Sequence, residues 1–299
     1  MPHLRIEALT DAHREECAAL LAERYARQRV AERLLPEIED FAVHIPDTGG
    51  VVATRGGRVV AYVAGALDGD TARCGFAGCA SSEHEAIRDC FSALAGEWGA
   101  GRCAVAVPAS DGHLVDTWFR LAFGCQFMWA VRETEPAEPV DFGGVIRAGT
   151  PDDLGSVAAF DKILWDLQAR EPSFSGLSVP PLEEFHDEWA DLWDDPEKFT
   201  HFVAERDGKP VGHALLYRRP QGDLRVPERN IDLAHAATLD EVRGTGVGLA
   251  LTSHVLRHAY DEGYQSMTTD WRSVNLLSSR FWPRRGFRPQ YLRLYRAVP

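Results

Sequence analysis

Two stretches of the chain repeat one pattern of apolar and polar positions. Residues 51–67, VVATRGGRVVAYVAGAL, and residues 202–217, FVAERDGKPVGHALLY, each run apolar, then turn-forming, then apolar. Each predicts a β-hairpin closed by RGGR or RDGK. Val52, Ala53, Arg55, Gly57 and Val60 match Val203, Ala204, Arg206, Gly208 and Val211 without a gap. Upstream of each hairpin, residues 5–21 and 146–160 both read as a short strand, a threonine in N-cap position and an apolar-faced helix. Near the end of each half, WFRLAFGCQFMWAVR resembles FWPRRGFRPQYLRLYR. Three echoes in one order predict a duplicated domain. The acidic, Pro- and Gly-containing stretch ETEPAEPVDFGG (133–144) reads as the joint. The division expected is a first domain at 1–134, a linker at 135–144 and a second domain at 145–299. Each half reads strand, helical region, hairpin, strand, helix, strand, helix, strand. That order predicts an α/β fold, a mixed sheet with helices on its faces.

The second half contains EVRGTGVGLAL at 241–251, where Gly244, Gly246 and Gly248 precede an apolar stretch. The preceding NIDLAHAATL (230–239) reads as a buried strand. Leu251, Val255, Leu256 and Ala259 follow at helical spacing. A strand, a glycine loop and a helix N-terminus together offer free N–H groups to an anion. A phosphate loop of the GxxxxGK[ST] type is excluded because no Lys-Ser or Lys-Thr follows. A GxGxxG dinucleotide fingerprint fits poorly, since the spacing is GxGxG.

Strand, Arg243-x-x-Gly246-x-Gly248, helix resembles the acyl-CoA-binding motif of the GNAT N-acetyltransferase superfamily. Downstream, NLLSSRFWPRRGF resembles its second signature, Asn-x-x-Ala-x-x-apolar-Tyr-x-x-x-Gly-Phe, at Asn275, Ser278, Phe281, Trp282, Gly286 and Phe287. The two motifs are specific together and weak apart. The resemblance implies two tandem GNAT-like domains, each with a mixed, mostly antiparallel sheet flanked by helices. It also implies an acyl-CoA co-substrate, most simply acetyl-CoA. The residues expected around it are Thr238, Leu239, Arg243, Gly244, Thr245, Gly246, Val247, Gly248 and Leu249 on the strand and loop. Asn275, Ser278 and Trp282 are expected on the second motif. Residues 244–249 fit a pyrophosphate by their N–H groups, and a Cβ at Gly246 or Gly248 would crowd it. Asn275 reads equally as a contact to the pantetheine arm and as a helix N-cap.

In the first half the matching place is ARCGFAGCASSEHEAIRDCFSAL (72–94), where Glu83 and Glu85 would repel a pyrophosphate. The first half therefore reads as degenerate, and tandem members of the superfamily commonly keep one active half.

Acyl transfer to an amine requires loss of the amine's proton and a proton for the thiolate that leaves. By resemblance the base falls at Asp232, on the strand before the loop; a carboxylate in an apolar strand is expected to have a raised pKa. Asp232 also fits a site for a cationic substrate. His235 has the opposite strand parity and is expected to face away from Asp232, as a buried, hydrogen-bonded histidine. Trp282 stands where the superfamily carries the tyrosine acid, and an indole N–H does not release its proton at useful pH. Ser278, Ser279, Tyr291 or a water remain as substitutes.

The acceptor region by resemblance is residues 160–199, with Trp165, Asp166, Trp189 and Trp193 among many acids. Such a mixture holds an organic cation, or is simply an acidic helix with tryptophans beneath it. The net charge of −13 adds to this and argues against nucleic acid and anionic membrane. No apolar run reaches the roughly 18 residues of a membrane span, and the N-terminus lacks a signal-peptide pattern, so a cytoplasmic protein is expected. The six cysteines include no CxxC, which points to buried thiols and no metal site. The expectation is an N-acyltransferase, most simply an N-acetyltransferase, working on a small amine by direct attack. A non-catalytic CoA-binding or regulatory module and an O-acyltransferase are the alternatives, and monomer and homodimer both stay open.

Overall fold

The computed structural model describes residues 3–47, 49–174 and 178–298. They fall into two compact units, Met1–Trp129 with Pro289–Pro299, and Ala130–Arg288.

Unit 1 opens with β1 (Leu4–Ala8) and α1 (Arg14–Ala31), followed by the hairpin β2 (Gly50–Arg55) and β3 (Arg58–Ala64). Two short strands, β4 (Ala66–Asp68) and β5 (Thr71–Cys74), precede β6 (Cys79–Ser81) and α2 (His84–Trp98). Then come β7 (Arg102–Pro108), α3 (Gly112–Phe119) and β8 (Gly124–Glu133). β1, β2, β3 and β6 form antiparallel ladders in that order. The core gathers Ile87, Phe91 and Leu94 of α2, Trp118 of α3 and Val105 and Val107 of β7. Five of the cysteines are buried and Cys125 partly so, all free. Burial pushes the Cys17 thiol up to about 12, so it behaves as a small apolar side chain, as expected.

Unit 2 runs from the end of β8 through β9 (Val145–Ala148), α4 (Leu154–Ala169) and α5 (Leu182–Trp193). The hairpin β10 (Phe199–Arg206) and β11 (Lys209–Tyr217) leads to β12 (Asn230–Thr238), α6 (Val247–Asp261), β13 (Ser266–Arg272) and the one-turn α7 (Ser278–Phe281). The order is β13-β12-β11-β10-β9, antiparallel except for the parallel β12–β13 pair. The α/β class with mixed, mostly antiparallel sheets is thus present.

The duplication is visible in register. Ile6 pairs with Ala53 and Ile146 with Ala204, and the two hairpins slip register at Ala53/Thr54 and Ala204/Glu205. Bulges recur at fixed places because they aim a strand. The threonines expected as N-caps both begin a 3₁₀ turn: Thr10 N–H donates to His13 Nδ1 (3.2 Å) and Thr150 N–H to Asp153 (2.8 Å).

The division differs from the sequence-based one in two places. The final strand, β14 (Arg288–Ala297), pairs antiparallel with β7 from Tyr291↔Pro108 to Ala297↔Arg102, so Pro289–Pro299 belongs to unit 1. The stretch expected as a linker packs on unit 2. Phe142 is buried, Arg206 lies over its ring at 5.7 Å and donates to its carbonyl, and Ser253 donates to the Glu138 carbonyl. Among the described residues no helix is long and apolar enough to cross a membrane.

Candidate active site

Alternation along β11 sorts the helices of unit 2 onto two faces. A Cβ on Gly212 would meet Leu251 of α6, whereas the next residue, His213, stacks on Phe160 of α4 and meets Trp189 of α5. α6 therefore covers one face and α4 with α5 the other.

β12 carries a bulge. Leu215 faces His235 and Leu216 faces Leu233, which leaves Ala234 unpaired and exposed. β12 and β13 pair through Asn230↔Ser266, Ile231↔Met267 and Asp232↔Thr268. Just past this pairing a cavity of about 490 Å³ opens. Its walls include Leu233, Ala236, Ala237 and Thr238 of β12, glycines of the loop and of the start of α6, and side chains of the second motif such as Asn275, Phe281 and Trp282. The bulge explains how Leu233 and Ala236, an odd number of residues apart, share one wall.

The loop needs glycine for its backbone. Gly244 and Gly246 have φ of +77° and +94°, the left-handed region, and Gly246 is the residue from which α6 springs. Ala250 N–H returns to the Gly246 carbonyl, so the N–H groups of residues 247–249 have no acceptor within the helix. Gly248 is helical, and a Cβ there would sit at an ordinary 3.7 Å from Phe281.

The structure brings most of the expected residues to this cavity. Thr238, Arg243, Gly244, Gly246, Gly248, Leu249, Asn275, Ser278 and Trp282 line it. Leu239, Thr245 and Val247 do not. Leu239 N–H donates to Val211, Thr245 Oγ1 donates to the Val242 carbonyl, and the Val247 side chain is buried in the core. Asn275 lines the cavity, and its Oδ1 accepts from the N–H groups of Leu277 (3.1 Å) and Ser278 (3.2 Å) just ahead of α7. Trp282 is buried edge-on to Phe281 and Phe287.

Asp232 is not in the cavity wall. Its carboxylate accepts from Thr268 Oγ1 (2.6 Å) and Arg219 (2.7 Å), and its side chain is 4% exposed. Burial pulls the Arg219 guanidinium down, but the charge and hydrogen bond of Asp232 outweigh that and raise it. The lone carboxylate in an apolar strand expected from sequence is instead a paired ion. The parity expectation also changes. Paired residues share a face, and the extra residue Ala234 puts His235 on the same face as Asp232. His235 is hydrogen-bonded, as expected, to Asp161 (2.9 Å) and His213 (3.0 Å), and Asp161 also accepts from Trp189 Nε1 (3.0 Å). Burial, and then His235, hold His213 well below the usual histidine range. Tyr291 is fully buried within unit 1.

Sequence reasoning missed Ile163, Leu164 and Leu167 of α4, which line the cavity. In the expected acceptor region Asp166 pairs with Lys162, Trp189 is buried and Trp193 stacks on His201. Residues 175–177 of that region lie outside the described residues. In unit 1 the acids at the matching helix start are held by arginines: Glu83 precedes α2 and accepts from Arg55 (2.8 and 3.0 Å), and Glu85 pairs with Arg88 and Arg120.

Comparison with known proteins agrees with this geometry. Residues 162–287 match the model of the acetyltransferase (GNAT) family. The chain is 31% identical over 87 residues to human N-acetyltransferase 8B, covering 29% of this chain and 37% of that protein. It is 31% identical over 108 residues to an uncharacterized N-acetyltransferase of Mycobacterium tuberculosis, covering 36% of this chain and 64% of that one. The chain thus matches less than two thirds of either relative's length. A GCN5-related N-acetyltransferase from Sphaerobacter thermophilus superposes with a TM-score of 0.60 at 14% identity, covering 98% of this chain and 95% of that one. A tandem GNAT protein from the clavulanic acid biosynthesis pathway superposes with a TM-score of 0.51 at 16% identity, covering 99% of each chain. Residues 162–287, all within unit 2, thus match the acetyltransferase (GNAT) family model, and the chain as a whole shares the fold of these two solved structures.

Proposed function

We propose that the cavity of unit 2 binds acyl-CoA and that the protein is an N-acyltransferase, most simply an acetyltransferase, acting on a small amine. One observation carries this reading: the glycine loop and the Asn275–Trp282 segment wall a single cavity beyond the last paired residues of β12 and β13. The residues fit the co-substrate. The N–H groups of residues 247–249 suit a diphosphate. The β12 edge past Asp232 suits the amides of a pantetheine arm, and Asn275 and Ser278 line the same cavity. Ile163, Leu164 and Leu167 give the α4 side of the cavity an apolar surface suited to a short acyl group. Acyl-CoA supplies an activated thioester; the chain's own part is to hold it, exclude water and seat the amine.

A titration with acetyl-CoA should raise the melting temperature of the protein and should do so dose-dependently. No shift at millimolar acetyl-CoA removes the assignment. Release of free CoA in the presence of a panel of small amines then tests turnover, and mass analysis of the product separates N- from O-acylation.

One observation favours a second reading, a module that holds CoA without turnover. Asp232 is closed off by Arg219, and Trp282 supplies no acid. Sustained CoA release with any acceptor excludes it.

A further inference from the structure

Two adjacent threonines of β13 treat neighbouring residues of β12 in different ways. Thr268 belongs to a row of side chains along the paired part of the seam. Ser266 Oγ donates to Asn230 Oδ1 (3.0 Å), Asn230 Nδ2 to Thr268 Oγ1 (2.9 Å), and Thr268 Oγ1 to Asp232 (2.6 Å). All four residues are buried, so the row fastens the three pairs from Asn230↔Ser266 to Asp232↔Thr268. Thr269, 4% exposed, does not continue it. Its hydroxyl donates to the main-chain carbonyl of Leu233 (2.9 Å), the first β12 residue past the last pair.

In a parallel ladder that carbonyl would take a main-chain N–H of the neighbouring strand. Here a side chain takes it, and the ladder stops. At the next residue the Ala234 bulge bends β12. Leu233 and Ala236 then wall the cavity, whereas Thr269 does not, so Thr269 acts on a ligand only through β12. The end of the seam sets how far an arm lying along β12 can enter. One further ladder pair would advance the closed part by about 3.3 Å. A reacting group misplaced by about 1 Å already costs on the order of a hundredfold in rate.

We infer that Thr269 is a positioning residue for the bound thioester. By taking the Leu233 carbonyl it ends the β12–β13 ladder, leaves the β12 edge beyond it open to the pantetheine amides, and fixes the depth at which the thioester stops. The inference rests on the acyl-CoA reading of the cavity.

Isothermal titration of the full-length protein with CoA, and with ADP, which carries a diphosphate and no arm, tests it. Thr269→Val keeps the shape and removes the hydroxyl. It should bind CoA about tenfold more weakly and ADP as the wild type does. With an amine that turns over, its kcat at saturating acyl-CoA should also fall at least about tenfold. Thr269→Ser keeps a hydroxyl and should stay within about twofold of wild type in CoA affinity. Wild-type CoA affinity or wild-type kcat in Thr269→Val overturns the inference. So does an equal loss of CoA and ADP, which marks a general loosening of unit 2, and so does a Thr269→Ser that behaves as Thr269→Val. Hydrogen exchange of the wild type decides even if the valine variant does not fold: CoA should slow exchange in residues 234–238 and leave 230–232 as they were. Bound CoA with no added protection in 234–238 overturns the inference without touching the acyl-CoA reading. Failure of the wild type to bind either ligand overturns that reading itself.

Discussion

Asp232 and Arg219 show what one buried charge demands of its neighbours. The carboxylate has two donors, Thr268 and Arg219, and almost no water. Removing the cation leaves the anion buried beside one hydroxyl. Arg219→Met is expected to cost about 3–5 kcal/mol in urea unfolding. Asp232→Asn should cost less, because the neutral amide keeps a partner in Thr268. A loss below about 1 kcal/mol in Arg219→Met would mean that the pair holds nothing together. This pairing was not legible from sequence: an Asp inside an apolar strand is visible, but Arg219 lies in the connection after β11, where no periodicity places a side chain. The glycines were legible, and the structure separates their reasons. Gly246 is required by its φ of +94°, so Gly246→Ala is expected to destabilise α6 itself by about 1–2 kcal/mol. Gly248→Ala has no such backbone cost and points at the cavity. Its unfolding free energy should stay within about 0.5 kcal/mol of wild type while its acyl-CoA affinity falls at least about tenfold. Unchanged affinity in Gly248→Ala would take the first turn of α6 out of the binding site.

At the scale of elements, the strands and α6 follow from period and turn chemistry, whereas the α4–α5 layer does not. Its contacts are made by a network in which Trp189 donates to Asp161, Asp161 accepts from His235, and His235 meets His213. The asparagine-free, Trp-rich segment 160–199 announced polarity and aromatics, but not that α4 would turn Ile163, Leu164 and Leu167 to the cavity. Nor does a sequence announce the Ala234 bulge, since one unpaired residue leaves no mark in an apolar run. The histidines in this layer give it a pH dependence of definite sign. Burial pushes His201 down to about 4 from its ordinary 6.5, and burial also lowers His213. Below pH 6.5 the unfolded chain takes up protons that the folded chain refuses, so stability falls as pH drops from 6.5 towards 4. Urea unfolding across that window should show this slope, and His201→Gln should flatten it. An identical slope in the variant would mean that His201 is not held neutral against Trp193.

At the scale of the whole molecule, the repeat was legible because two hairpins share residues, and the registers of β1–β2 and β9–β10 repeat with them. Strand ownership was not legible. The echo between the ends of the halves assigns the last strand to the second domain, while hydrogen bonding assigns Pro289–Pro299 to unit 1. An echo reports ancestry, and the ladder a strand joins is settled by what its side chains bury. Leu294 is fully buried in the unit 1 core with Trp118, Phe91 and Val107, and sits opposite Val105 of β7. Leu294→Ala should therefore cost about 2–5 kcal/mol, and the loss should appear in the first unit. Native-state hydrogen exchange is expected to speed up in β7, residues 102–108, and in α2, while β12 and α6 keep their protection. Faster exchange confined to β12 and α6 would return the last strand to the second unit. Acyl-CoA affinity provides an independent reading of the same variant: the cavity walls lie within Ala130–Arg288, so binding should survive a substitution that weakens unit 1.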